Sequence, residues 1–342
     1  MNVTIDDVAK LARVSTATVS RTINGNYPVH ESTKKRVLKA IKDLDYHPNY
    51  SAIALATKST KSIGVLIPGI ANPYFLKVTE AIENTIYKSG YIMFLCDTKN
   101  DPEMERYYIN NLLSRNVDGI IVVEGPDENH LNGFFNKAAE KINVVIINGI
   151  SENLNCHHVS CDQEQGMRDA LDYLISIGHV NIGLLIGNNG HSFRLKKQFF
   201  IKFMKQKNIP LNKENIICLQ NENELPNADN LSHLLECVLN SKNRPTAFYV
   251  GNDLMSLTLL EASKLLGLSV PSDISIIGND NIAFTEFCSP KLSTVDYKTE
   301  ILGETSAKLL LNVIENKKGD DKLEKIVIKT EFINRESCAS LK

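Results

Sequence analysis

The 342-residue chain has no CxxC pair, no tryptophan and no apolar run longer than a strand. The longest such runs, for example NVVIING at 143–149, fall far short of the roughly 20 residues that span a bilayer, which excludes a helical membrane anchor. Seven cysteines lie scattered at 96, 156, 161, 218, 237, 288 and 338, and an odd, unpatterned set suits a reduced compartment. The first helical pattern begins within a few residues of Met1, leaving no room for a targeting signal, so the expected location is the cytoplasm. P-loop, HExxH and GxSxG motifs are missing. STKK at 32–35 satisfies SxxK, but it falls on a surface helix beside no second catalytic motif, so the chain is not expected to be an enzyme. CHHVSC (Cys156, His157, His158, Cys161) is the one cluster with metal-like chemistry. Neighbours on an extended segment point to opposite faces, so the two histidines cannot share an ion, and neither metal nor cofactor is expected.

Charge of either sign is barely in excess, with a net of −2, but it is unevenly distributed. Residues 1–61 carry ten Lys/Arg against five Asp/Glu, leaving −7 for the remainder. A small basic module joined to an acidic body is the pattern of a chain in which only the module meets a polyanion. The length exceeds what one core usually supports and implies two or three domains.

In the basic module, Thr4 followed by Asp7 reads as a capping box with Asp in the usual Glu position, opening a first helix whose apolar face is Val8, Leu11 and Ala12. A tight turn at Arg13 and Val14 leads to Ser15, an N-cap, and to a second helix ending near Asn24, where NGN stops it. Val37, Ala40, Ile41 and Leu44 recur at spacings of three and four, marking a third helix over about 31–44. Three short helices with a tight first turn follow the helix-turn-helix plan. Val19 and Ile23 fasten the second helix to the small core, which turns Thr16, Ala17, Ser20 and Arg21 outward. Such side chains suit a major groove, where Arg pairs with guanine through two hydrogen bonds and methyl groups touch thymine. Thr4, Ser15 and the amides at helix starts would hold phosphates. After Pro48, NYSAIALATKSTKS reads as a brief helix capped by Asn49 and then a polar linker.

From Ile63 the pattern changes. IGVLIP, YIMFLCD, GIIVVE, NVVIING, NIGLLIG, TAFYVG and ISIIGND are continuous apolar runs separated by helical stretches, the signature of parallel sheets covered on both faces. One set ends near 150 and a second begins near 157. Two doubly wound α/β lobes are expected, with a ligand cleft at the carboxyl ends of the strands.

VTIDDVAKLARVSTATVSRTIN, VLKAIKDLDYHPN, IGVLIPGIANPYF, VDGIIVV, LISIGHVNIGLLIG, GNDLMSLTLLEA and VPSDISIIGNDN together resemble, in order and over essentially the whole chain, the LacI/GalR family of bacterial transcriptional repressors. The resemblance implies a helix-turn-helix domain over 1–48, a hinge helix and linker over 49–61, and a periplasmic-binding-protein-like core over 62–342. The core would divide into an N-lobe (about 62–160 and 290–323) and a C-lobe (about 161–289 and 324–342). It implies a homodimer, or a tetramer, on a near-palindromic duplex operator controlling carbohydrate use. A small effector between the lobes, a sugar, sugar acid or sugar phosphate, would change the lobe angle. The carboxyl-terminal SCASLK has no leucine heptads, which favours the dimer. A variant is a catabolite-control regulator with a phosphorylated carrier protein as corepressor. Carried over by position, Thr16, Ala17 and Arg21 read bases, with Thr4, Ser15, Ser20 and Asn24 assisting, while Leu55 is the hinge leucine that wedges into a minor-groove step. Effector contacts fall on Tyr74, Phe75, Asp162, Ser192, Lys196, Asn252 and Asp280. The sequence departs from the family pattern at Arg13, where Gly is common in the turn, at His30, a usual Ser cap, and at Ile53, a usual hinge arginine. It departs also at Phe199, a customary glycine, and at Lys196, where the usual residue is arginine. Lysine offers a point charge instead of a fork, and Arg194, two positions away, is the expected substitute.

Overall fold

The computed structural model describes residues 3–24, 28–47, 54, 57, 59–188, 190–220, 228–239, 244–315 and 322–341. These fall into two compact units, 1–60 and 61–342.

In the first unit, helices α1 (Ile5–Ala12), α2 (Thr16–Asn24) and α3 (Glu31–Asp43) enclose a core of Val8, Ala9, Ala12, Val19, Val37, Ala40 and Tyr46. The capping box forms as expected. The Thr4 backbone N–H donates to Asp7 Oδ2 at 3.0 Å and the Asp7 N–H to Thr4 Oγ1 at 3.4 Å. The Thr4 hydroxyl, which donates to Asp7 Oδ2 at 2.7 Å, and then the Thr4 backbone N–H hold the Asp7 carboxyl below its ordinary range. Arg13 caps α1 with φ +54° and ψ +51°, the left-handed conformation that a side chain adopts only at some cost. His30 begins α3 without a side-chain cap; its Nδ1 pairs instead with Ser32 Oγ at 2.9 Å. The hinge region expected over 49–61 lies mostly outside the described residues, Ile53 and Leu55 included.

The second unit consists of two lobes. The first sheet runs β11 (Lys325–Ile328), β5 (His157–Cys161), β4 (Asn143–Ile147), β3 (Gly119–Val123), β1 (Ser62–Ile67), β2 (Ile92–Asp97), every neighbour parallel. The second runs β12 (Glu331–Ile333), β10 (Ser293–Asp296), β9 (Ser275–Asn279), β8 (Ala247–Val250), β6 (Ile182–Gly187), β7 (Ile216–Leu219), with only β12 antiparallel. Burial on both faces explains the continuous apolar runs. Along β1, Ile63, Val65 and Ile67 join the cluster containing Val78 and Ile82, while Leu66 enters the opposite cluster with Ile109 and Leu112. The first of these faces is covered by α4 (Pro73–Lys88) and α13 (Thr299–Glu315), which pack closely at Gly303, where a Cβ would meet the Val78 carbonyl at 2.5 Å. The second is covered by α5 (Pro102–Ser114).

The chain passes between lobes at residue 162, at 297–298 and at 329–330. This corrects the expected boundaries at 290 and 324. β10 belongs to the second sheet, paired with β9, and β11 belongs to the first, paired with β5. The physical reason is pairing: β10 hydrogen-bonds between β9 and β12 in the second sheet, and β11 closes the edge of the first sheet beside β5 before the chain crosses back.

Candidate functional site

On α2, Thr16, Ala17 and Arg21 are exposed while Val19 is fully buried, so the helix turns the expected reading face outward. Ser20 is half-buried on the same helix. Ser15 Oγ accepts the Thr18 N–H at 3.2 Å and lies 3.0 Å from Thr18 Oγ1. Thr4, the N-cap of α1, is exposed as well. Asn24 is the last residue of α2, its side chain outside the described set, as is Leu55.

The cleft between the lobes brings together most of the expected effector residues. Its walls include Tyr74, Phe75, Ser192, Lys196, Asn252 and Asp280, together with Asn72, Glu124, Gly125, His191, Phe193 and Tyr297. Asn72 caps α4, its Oδ1 accepting the Tyr74 N–H at 3.0 Å, which places both rings of NPYF at the first turn. Tyr74 meets Phe75 and Tyr297 edge to face, with centroids 5.2 and 6.2 Å apart. Asn252 caps α11 (Asp253–Leu265), accepting the Met255 N–H at 2.8 Å.

A polar chain runs through the cleft. Asn148 Nδ2 donates to Tyr74 Oη at 3.0 Å and to Glu124 Oε1 at 2.8 Å, while its Oδ1 accepts the Cys161 N–H at 2.9 Å. Across the gap, on α9 (His191–Gln206), Lys196 Nζ donates to Ser192 Oγ at 2.7 Å, and Ser192 Oγ donates to Gln163 Oε1 at 2.8 Å. The Lys196 ammonium also lies 5.4 Å from the Tyr297 ring and 5.5 Å from the Phe193 ring, within cation–π range. Burial pushes the Lys196 ammonium down, and the carboxylates of Asp280 and Glu124 pull it back up. Burial pushes both carboxyl groups up in turn, with Asp253 adding to the rise at Asp280 and Lys196 opposing it at each. One buried cation faces two carboxyl groups across the cleft, an arrangement suited to a neutral ligand rich in donors and acceptors.

The backbone turns left-handed as three strands end: at Glu124 after β3 (φ +48°) and Asp280 after β9 (φ +108°), which line the cleft, and at Asn148 after β4 (φ +55°), which hydrogen-bonds to Tyr74 and Glu124 from behind it. Strained positions of this kind concentrate at binding sites. Glu124, Asn148 and Tyr297 escape sequence reasoning, which weighs motif spacing and not strand-end geometry. The signal for Glu124 was the acidic residue closing GIIVVE.

Two expected contacts are placed elsewhere. Asp162 caps α8 (Gln163–Ser176), accepting the Gln165 N–H at 3.1 Å, and lines a neighbouring cavity near the chain crossing with His158 and Glu164. Arg194 does not line the cleft; it is exposed and ion-paired with Asp127 of the other lobe. The reason is helical geometry. Ser192 and Lys196, four residues apart, share one face of α9, and Arg194 between them points away. In the CHHVSC segment, His157 Nδ1 accepts the Glu324 N–H at 3.2 Å, while His158 Nε2 lies 2.8 Å from the Asn148 carbonyl.

Comparison with known proteins gives the same answer along the whole chain. Residues 4–49 match the family described as bacterial regulatory proteins, lacI family, and residues 171–338 match the periplasmic binding protein-like domain. The HTH-type transcriptional repressor PurR of Yersinia pestis bv. Antiqua (strain Antiqua) is 36% identical over 98% of this chain and 97% of that protein. The Lac repressor dimer bound to operator and the anti-inducer ONPF superposes with a TM-score of 0.85 at 25% identity, covering 99% of this chain and 100% of that one. A LacI family transcriptional regulator from Enterococcus faecium with bound ribose gives 0.70 at 29% identity, over 82% and 100%. The chain belongs to the LacI family, and it is a DNA-binding transcriptional repressor, not an enzyme.

Proposed function

We propose that this repressor binds a near-palindromic operator as a homodimer and answers to a small, neutral, carbohydrate-like effector held between its lobes. The observation that carries the reading is the cleft itself, where aromatic rings from Tyr74, Phe75, Phe193 and Tyr297 surround Glu124, Lys196, Asn252 and Asp280. Rings pack on the apolar faces of a pyranose or furanose, while carboxylates and amides bracket its hydroxyl groups. Sugar acids and sugar phosphates fit less well, because among the described residues Lys196 is the one Lys or Arg lining the cleft, and it already faces two carboxyl groups that burial pushes towards their protonated forms. The ring walls also favour a second reading, a planar nitrogen heterocycle.

The homodimer is supported by apolar exposure on the first lobe. β2 is an edge strand, and Ile92, Phe94 and Leu95 on it are 60%, 39% and 41% exposed, an apolar patch of the kind that marks an association surface. On α2, Thr16, Ala17 and Arg21 are assigned to base edges, with Thr4, Ser15, Ser20 and Asn24 on the backbone or assisting and Leu55 at the hinge.

Isothermal calorimetry with neutral pentoses and hexoses, their acids and phosphates, and free nucleobases tests the cleft. A neutral sugar should bind, and its phosphate should bind more weakly. Selective binding of a nucleobase moves the assignment to the second reading, and tighter binding of the phosphates overturns the electrostatic argument.

A further inference from the structure

Asp127 and Arg194 stand on opposite lobes, Asp127 just beyond the cleft-lining Glu124 and Gly125 and Arg194 between cleft-lining residues. Asp127 opens α6 (Asp127–Leu131), two residues after Gly125 and three after Glu124; Arg194 lies between Phe193 and Lys196 on α9. Their side chains form an ion pair, with Asp127 21% exposed and Arg194 47%. Among the described residues, the other ion pairs lie within one lobe, within the first unit or at the chain crossings.

A second observation concerns the other side of α6. Three buried side-chain atoms among the described residues lack a hydrogen-bond partner: Glu105 Oε1, Asp127 Oδ1 and His130 Nε2. All three border the segment 125–130. Glu105 Oε1 lies 2.5 Å from where a Cβ on Gly125 would stand, and the His130 ring lies within 3 Å of the corresponding position on Gly149. Leaving a buried polar atom unmade is costly, and each such group in a native structure calls for an explanation. α6 is thus held to its own lobe through Glu128, Asn129 and His130 Nδ1, leaves one buried polar atom on Asp127 and one on His130 without a partner there, and is tied by charge to the other lobe through Asp127.

We propose that the Asp127–Arg194 pair is a latch on the effector cleft. It holds α6 against α9, and a ligand seated between Glu124 and Ser192, at the roots of both partners, decides whether it closes. The regulatory meaning rests on the effector reading of the cleft; the latch itself is tested without ligand. Hydrogen exchange on the full-length protein, followed by mass spectrometry, reads each lobe separately. Arg194→Gln should speed amide exchange at 125–131, on the opposite lobe, by roughly fivefold, the equilibrium worth of a partly exposed ion pair. Asp127→Asn should do the same at 191–197, and the double variant should exchange no faster than either single one, because both remove one interaction. Unchanged exchange across the gap, or effects that simply add, would overturn the latch while leaving the cleft reading intact. Failure of every sugar and nucleobase to bind would do the reverse.

Discussion

Asp280 is the residue on which effector selectivity most directly depends, since its carboxyl group faces the cleft, is nearly buried and has the Lys196 ammonium as its counter-charge. Asp280→Asn keeps the shape and tolerates the positive φ, yet weakens the acceptor and leaves Lys196 with Glu124 alone. Calorimetry should show at least about tenfold weaker binding of the cognate neutral sugar, the loss of about 1.4 kcal/mol, with anionic analogues penalised less than in the wild type. Equal affinities would remove Asp280 from the site. In the first unit, Arg21→Ala should cost about 1–3 kcal/mol on the operator and relax preference at one base pair; a base-by-base binding profile identical to wild type would refute a reading role. Residues carried by motif spacing, such as Tyr74, Ser192, Lys196 and Asn252, were legible because a cap or a helical repeat fixes their direction. Glu124 and Asn148 were not, since each stands at a strand end where the backbone turns left-handed. Arg194 was misplaced for the complementary reason: nearness in sequence to Lys196 places it on the other side of the helix.

At the level of elements, short-range chemistry was the reliable guide. The capping box at Thr4, the Ser15 start and the spacing of Val37, Ala40 and Ile41 each correspond to a helix end or face. The apolar runs named β1, β2, β3, β4, β6, β8 and β9, whereas β5 (HHVSC) is largely polar and β7, β10, β11 and β12 are only three or four residues long, too short for periodicity to show. The placing of the last two depends on pairing with β5 and β10, of which β5 is distant in sequence from its partner β11. Two substitutions probe the elements that hold the site. Arg13→Gly removes a side chain from φ +54°, so the first unit should gain roughly 0.5–1 kcal/mol in denaturant unfolding; a loss would mean that the arginine side chain itself supports the turn. Gly303→Ala inserts a methyl group against the Val78 carbonyl and the Ala81 Cβ, 2.5 and 2.7 Å away. It should destabilise the second unit by about 1–3 kcal/mol as α4 and α13 are forced apart, and an unchanged unfolding midpoint would show that the helix pair yields freely.

For the whole molecule, buried titratable groups dictate how stability varies with pH. Glu105 is 1% exposed, and burial pushes its carboxyl up to about 8, against the opposing Asn129 hydrogen bond and Arg106 charge. Burial likewise raises Asp253 to about 7 and lowers His130 to about 4. A carboxyl group whose folded pKa is raised holds its proton longer in the native state. Its penalty is absent below the unfolded value, grows as pH rises between the two values and is complete above the folded one. The lowered His130 acts oppositely, costing stability in acid and ceasing to matter above its ordinary 6.5. The opposing slopes overlap in mild acid, and above pH 6.5 the carboxyl groups act unopposed by it. Calorimetric unfolding of the second unit should therefore lose stability between pH 6.5 and 8, by roughly 2 kcal/mol from Glu105 alone at about 1.4 kcal/mol per unit. Glu105→Gln can still accept the Asn129 hydrogen bond through its amide oxygen and has no proton to lose. The variant should show a flatter profile over this range and exceed the wild type in stability at pH 8. If its slope matched the wild type, Glu105 would have to be ionised in the native protein at neutral pH, and the unpaired Oε1 beneath Gly125 would no longer be the neutral carboxyl group on which α6 rests.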